Sequence, residues 1–284
     1  MKTAHPHSLG PLCKATTGRK AAARPPRHRL ALLPALLLAC TALSGFMVLN
    51  QTSASAVLFV DTLNVGTTTN QNIYNQSAGS STVGSLNVGL GSGNDFYNLS
   101  GGGLEVGGLQ IGASGGGTFH QTGGNLKLSG GPFSGATLTL GVNVGSTGIY
   151  KMAAGDMRTD LLTVARKGTG QFTQTGGSVK TGLLQVGSNT GSGQWDMSGG
   201  TLQASLTVGA KGTFNHNSGA SLAGSVAIES GGLFNLQGGS FSGLSNLAMD
   251  GGKLHLHGHN MAVEGLYGSG GVIDLPAGGR SARA

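Results

Sequence analysis

Cysteine, aromatic side chains and charge are all scarce in this chain of 284 residues. Both cysteines, Cys13 and Cys40, lie near the start, so the body of the protein can hold neither a disulfide nor a thiolate metal site. Aromatic residues make up 5% and charged residues 10%, against 55 glycines, which argues against an ordinary globular core of large side chains. No acid precedes Asp61, and seven of the 17 basic residues fall within the first 29 positions. Beyond residue 60, ten bases face ten acids. The formal charge of +7 therefore belongs to the leader, and the body carries no electrostatic footprint for DNA, RNA or anionic lipid.

The leader has a secretory layout. A basic stretch ending at Arg29 is followed by the apolar run Leu30 to Leu49 and then by Ala54-Ser55-Ala56, a small-x-small cleavage signature. Three other readings stay open: a buried N-terminal helix, a retained membrane anchor, since the apolar run is nearly long enough to span a bilayer, and lipidation at Cys40, because Leu37-Leu38-Ala39-Cys40 imitates a lipoprotein box. The expected organisation is a targeting leader over 1–56, a repeat domain over 57–275 and a disordered tail over 276–284.

Glycine can mark either a disordered chain or the turns of a repeat, and apolar periodicity decides between them. An L-x-V-G pattern recurs at Leu63, Leu86, Leu109, Val142, Leu162, Leu184, Leu206, Val226 and Leu247, with steps of 23, 23, 33, 20, 22, 22, 20 and 21 residues. Two residues on, every position is apolar, from Val65 to Met249. A second column is aromatic: Tyr74, Tyr97, Phe119, Tyr150, Phe172, Trp195, Phe214 and Phe234, each followed five residues later by glycine. A third, weaker apolar column runs through Leu104, Leu126, Met157, Val179, Leu202 and Phe241, failing near Ser81 and shifting to Leu222. Alternation with period two between glycine-marked turns means short strands. Strands this short cannot close a core within one repeat, so neighbouring repeats must stack, pairing like strands in parallel about 4.8 Å apart. The expected fold class is all-β, a parallel β-solenoid of about nine coils with 20–23 residues in each, forming a rod roughly 40 Å long.

Outward positions read as a solvated face. Asn75, Asn98, His120, Lys151, Thr173, Asp196, Asn215 and Asn235 stand beside the aromatics; Glu105, Lys127, Arg158, Lys180 and Gln203 stand beside the third column. The neighbouring cations Arg158 and Lys180 point to solubility, not to a tuned binding row.

The segments TFHQTGG (118–124), QFTQTGG (171–177), QWDMSGG (194–200) and LFNLQGG (233–239) resemble autotransporter-type β-strand repeats of bacterial secreted proteins, and GGKLHLHGHNMAVEGLYGSGG (251–271) is similar to a unit common in that family. The resemblance covers the repeat region and is specific for architecture, not activity. It implies a right-handed parallel β-helix passenger displayed on, or released from, a Gram-negative outer surface. The family's C-terminal translocator, a barrel of alternating apolar strands, is not visible before Ala284. The expectation is another anchoring element or a truncated relative.

Four places could carry chemistry. Asp156, Arg158 and Asp160, with Arg166 and Lys167 nearby, are the densest charged group, but a polysaccharide-cleaving site needs paired carboxylates and no second carboxylate column supports them. His255, His257 and His259 alternate as metal-binding imidazoles would, without acid or cysteine partners. Gly91 to Tyr97 partly imitates a calcium nonapeptide, but occurs once. The long step after Leu109 implies an insertion, Ser129 to Thr139, whose loop is the leading contact site on a rigid scaffold. No catalytic, cofactor or metal residue is assigned. The expected function is a non-enzymatic surface protein that contributes to adhesion or cell-envelope interactions, secreted or held at the cell surface through its signal peptide. Its partner would be a surface, glycan or protein and not nucleic acid; membrane contact would come only through the leader or an anchor. Alternatives are a secreted polysaccharide lyase or hydrolase, and a truncated relative that self-associates through its open C-terminal coil.

Overall fold

A computed structural model describes residues 39–43, 46–54, 57–129 and 136–274. The basic part of the leader and the tail 276–284, to which the targeting and disordered-tail expectations refer, lie outside the described residues. The described residues belong to one compact unit, Pro34–Ala284.

Among the described residues every regular element is a strand, and the strands link into one hydrogen-bonded sheet. The coils stack as a parallel β-solenoid of about ten turns. Each coil contributes a short strand and a long one, as in Thr169–Gln174 followed by Ser178–Val186. The short strand carries the aromatic. The long strand bends in the middle: in Asp156–Val164, Met157 and Thr159 point inward, Asp160 and Leu161 turn outward together, and Leu162 and Val164 point inward again. That break in the period of two is a corner, and it makes two faces from one strand.

In-register pairing places like residues above one another. The aromatic column is continuous and buried from Tyr74 to Phe234, each ring 0–1% exposed, with successive centroids 3.8–6.0 Å apart and planes within 20° of parallel. The third column is also in register: Met157 pairs with both Leu126 and Val179, Val179 with Leu202, and Leu202 with Leu222. The apparent shift at Leu222 is therefore a change of turn length, not of pairing. Ser81, where the column lacks an apolar residue, is also inward, and its hydroxyl donates to Gln51 Oε1 at 2.9 Å.

One part of the sequence register is corrected. The first column does not pass through Val142 and Val144: Leu138 pairs with Leu109 below and Leu162 above, and Leu140 with Ile111 and Val164. Leu138 and Leu140 are fully buried, whereas Val144 is 81% exposed. The segment 138–145 contains two consecutive copies of the apolar-x-apolar-Gly pattern, and the first is the one that stacks. Thr137–Leu140 is consequently a strand, not part of the insertion. The strand Asn125–Leu128 ends before the insertion, of which residues 130–135 lie outside the described residues.

The glycines that follow the aromatics stand where a coil passes under its neighbour. Gly177 has φ +72°, and a β-carbon there would lie 2.6 Å from the carbonyl oxygen of Gly155. The left-handed backbone and the close approach both require glycine.

Stacking also reaches upstream of Ala56. Phe46–Gln51 pairs in parallel with Asn72–Gln76 and antiparallel with Ala39–Leu43. Gln51 accepts the hydroxyl proton of Tyr74 at 3.0 Å.

Candidate interaction face

The interior contains a polar column that the apolar periodicity does not reveal. Two residues after each aromatic, the inward positions are Gln76, Leu99, Gln121, Met152, Gln174, Met197, His216 and Leu236. The three glutamines are fully buried. Tyr97 donates to Gln76 Oε1 and Tyr150 to Gln121 Oε1, both at 2.6 Å, repeating the Tyr74–Gln51 bond in two later coils. The amide nitrogens donate to backbone carbonyls of the turns, Gln76 to Gly103 and Gln121 to Gly124 and Asp156. Burial pushes the Tyr74 hydroxyl up to about 12 and raises those of Tyr97 and Tyr150 well above their ordinary value, so all three remain donors at physiological pH. The pairing follows a rule: a glutamine precedes a donor-bearing ring in the next coil, and Leu99, Met152 and Met197 precede Phe119, Phe172 and Phe214. Gln174 precedes Trp195, and there Gln174 Oε1 and the indole Nε1 are both without a hydrogen-bond partner. This column is structural. It holds the rod together and offers nothing to a ligand.

The residues singled out for chemistry are mostly not brought together. Asp156, Arg158 and Asp160 lie on one strand, all exposed, with no ion pair among them. Asp160 Oδ2 accepts the backbone N–H of Ala136 at 3.1 Å. Arg166 and Lys167 sit in the following turn, where the Arg166 carbonyl accepts the Ser188 hydroxyl. His255 and His257 make an edge contact with centroids 5.8 Å apart, and His255 Nε2 lies 3.9 Å from Asp274 Oδ2, while His257 and His259 are exposed. Among the described residues no three metal-ligating side chains converge. In the calcium-like segment Asp95 turns inward: Oδ1 accepts the backbone N–H of Asn72 at 2.9 Å and its amide at 3.0 Å, and Oδ2 has no partner. Burial raises this carboxyl above the ordinary range, against the lowering effect of the Asn72 bonds.

Outward ladders are mostly self-satisfied. Asn98 donates to Asn75 and Asn75 to Asn50 at 2.7 and 2.8 Å, and Asn235 donates to Asn215 and Asn215 to Asp196 at 2.8 and 2.6 Å. The ladder beside the third column differs. Lys127 Nζ lies 2.9 Å from Glu105 Oε1, which also accepts the Ser129 hydroxyl. These bonds, the one from Ser129 first, hold the Glu105 carboxyl below its ordinary range. The next two rungs, Arg158 and Lys180, are register partners with no anionic partner among the described residues. They form a ridge with a concavity on each side. One, of about 470 Å³, has Thr159, Gly182, Ala204 and Gly224 at the strand bend; the other, of about 460 Å³, is lined by Ser178, Thr201, Gln203 and Ser221. Sequence reasoning named both cations but not the hollows, which arise because small residues line the bend in successive coils. The insertion expected as the contact site begins at Ser129, whose hydroxyl touches Glu105 at the foot of this row; its tip lies outside the described residues. No protein-family model, curated protein or solved structure matches the chain, so the face is defined by its geometry alone.

Proposed function

We propose that this chain is an exported, non-catalytic β-helical rod that works as an interaction scaffold at the bacterial cell surface, in the manner of an autotransporter passenger. The observation that carries this reading is the division of labour within each coil. Inward positions are spent on stacking, and outward positions present repeating rows of polar side chains over about ten turns. Such a surface suits extended contact at many weak points more than conversion of one bound molecule. The basic and apolar leader and the family-like repeat segments support export and surface display.

Fractionation of a Gram-negative host expressing the full chain with a C-terminal epitope tests the reading. Recovery in the outer-membrane or culture fraction, lost when residues 1–38, which precede the first described strand, are deleted, is the expected result. Retention of both forms in the cytoplasm would overturn it. Product assays on acidic and neutral polysaccharides test the non-catalytic part, with no new reducing or unsaturated ends expected.

A second reading rests on the last strand, Gly265–Asp274, where Leu266, Tyr267 and Val272 are 49%, 62% and 43% exposed. A strand edge that is unpaired among the described residues and carries apolar side chains is a template for another chain, and the rod would then associate end to end. Concentration-dependent size in gel filtration, abolished by Leu266→Lys, is the expected outcome.

A further inference from the structure

We propose that the Arg158–Lys180 ridge and its two flanking concavities bind an acidic polysaccharide laid along the rod axis. This rests on the surface-scaffold reading and names its ligand class.

Two like charges as direct register partners repel and destabilise a sheet, and elsewhere the rod avoids the problem in its amide ladders and in the Glu105–Lys127 pair. Arg158 pairs in register with Lys127 on one side and Lys180 on the other, so three cations occupy successive coils, of which only Lys127 is neutralised. The nearby acids form no ion pair with the other two: neither Asp156 nor Asp160 lies within salt-bridge distance of a cation among the described residues, and Asp160 Oδ2 accepts the Ala136 N–H instead. Strand spacing sets the rungs about 4.8 Å apart, a distance of the order of one sugar ring. A polymer with a carboxylate on each ring, or on alternate rings, therefore presents charge at the interval at which the ridge presents cations. The guanidinium supplies a planar fork for one carboxylate, and the ammonium a point charge for the next.

The flanks fit the rest of such a polymer. One offers Ser178, Thr201, Gln203 and Ser221, neutral groups that exchange hydrogen bonds with sugar hydroxyls; a single carboxylate lines each hollow, Asp156 in this one and Asp160 in the other, against the two cations Arg158 and Lys180 that line both. The small residues at the bend leave depth for ring edges. Both hollows are open, as a chain longer than the site requires. Single-stranded nucleic acid would need exposed aromatic platforms. The strongly exposed aromatics among the described residues, Phe59 and Tyr267, lie in the strands at the two ends of the rod, away from the ridge.

Titration calorimetry of the full chain against polygalacturonate, its methyl-esterified neutral form and oligothymidylate tests the proposal. Expected are binding to polygalacturonate that weakens as salt rises, at least about tenfold weaker binding to the ester, and a loss of about tenfold in the Arg158→Gln/Lys180→Gln double variant. Lys151→Gln, which removes an exposed cation from the aromatic-bearing strand, should bind like the parent chain. The double variant should melt no lower than the parent, because a repulsion has been removed. No binding by the parent, an undiminished double variant, or equal affinity for oligothymidylate would each overturn the proposal. Cell fractionation reads the surface-scaffold assignment separately, so an exported rod that fails to bind polygalacturonate refutes only the ligand.

Discussion

The coils between Asn72 and Val208 and those from Ala220 to Asp274 are built on the same plan and differ in how strictly they keep it. In the first region the strands pair in register with a single irregularity, between Lys180 and Leu183. In the second, Ala220–Glu229 slips four times against Ser240–His255, and that strand slips twice more against Gly265–Asp274. The aromatic ladder ends inside the second region, at Phe234. Phe234 is followed in register by Leu254 and then Ile273, and the glycine after the first column gives way to Glu229 and Asp250. Register in a parallel stack is not enforced by backbone hydrogen bonds alone, which a slipped strand could also make. It is enforced where like side chains meet above and below.

The largest contrast should come from the ladder itself. Phe172 is sandwiched between Tyr150 and Trp195 and fully buried, so Phe172→Ala should lower stability to urea by about 3–5 kcal/mol. Tyr267→Ala, at the exposed end, should change it by less than about 0.5 kcal/mol. Equal midpoints would dissolve the distinction between the regions.

The turns come next. Gly177→Val forces a side chain into positive φ and toward the Gly155 carbonyl, at a cost of about 2–4 kcal/mol. Thr173→Val on the neighbouring strand should be nearly neutral. Gly258, also at positive φ but with nothing within 4 Å of its β-position, should lose only about 1–2 kcal/mol on replacement by alanine.

The glutamine–tyrosine pairs give the third contrast. Tyr150→Phe leaves Gln121 Oε1 buried without its donor and should cost about 1–3 kcal/mol. Adding Gln121→Met, which copies the Met152–Phe172 combination, should recover part of that loss in a double-mutant cycle. Additive effects would show that the pair does not act as a unit.

Acid should separate the two regions in opposite directions. Asp95 in the early coils has a folded pKa above its unfolded value because of burial. Its contribution is therefore fully present below the ordinary carboxylate range and lost as pH rises through the folded value. Asp95→Asn should stabilise the protein at neutral pH. His216, at the edge of the late coils, stacks on Phe241 with Nδ1 against the Gly238 carbonyl, and burial lowers its pKa against the raising effect of that bond. Its contribution is present above the ordinary imidazole value of 6.5 and lost as pH falls through the lowered one. Hydrogen exchange should show the late coils loosening first on acidification, and His216→Leu should suppress that.

The smallest effect concerns Ala165, which stands where the other early coils place a positive-φ glycine and itself has φ 72°. Ala165→Gly relieves about 1–2 kcal/mol of left-handed strain against about 0.5–1 kcal/mol of added chain entropy. It should raise stability slightly.

The same contrasts separate what was readable in the sequence from what was not. The aromatic ladder and the all-β solenoid followed from spacing, because rings this scarce do not fall at a constant offset from glycine by chance. The register near Val144 did not, since Leu138-Thr-Leu140-Gly and Val142-Asn-Val144-Gly fit the same pattern and only burial separates them. The inward glutamines were hidden because polar residues read as outward. Their signal lay one coil further on, in the match of Gln to Tyr or Trp and of Leu or Met to Phe. For the candidate face, Arg158 and Lys180 were legible as neighbours. The hollows beside them depend on how a bent strand stacks, which no single repeat reveals.

Disulfide trapping tests the stacked register most directly. In a background with Cys13→Ser and Cys40→Ser, the pair Thr139→Cys/Thr163→Cys joins register partners in adjacent coils, at a separation that a disulfide spans. The pair Asn143→Cys/Thr163→Cys corresponds to stacking through Val142 and Val144 instead. Rapid, complete oxidation of the first pair with the fold retained, and little of the second, is the predicted result. Oxidation of the second pair in preference to the first, or of neither, would contradict stacking through Leu138 and Leu140.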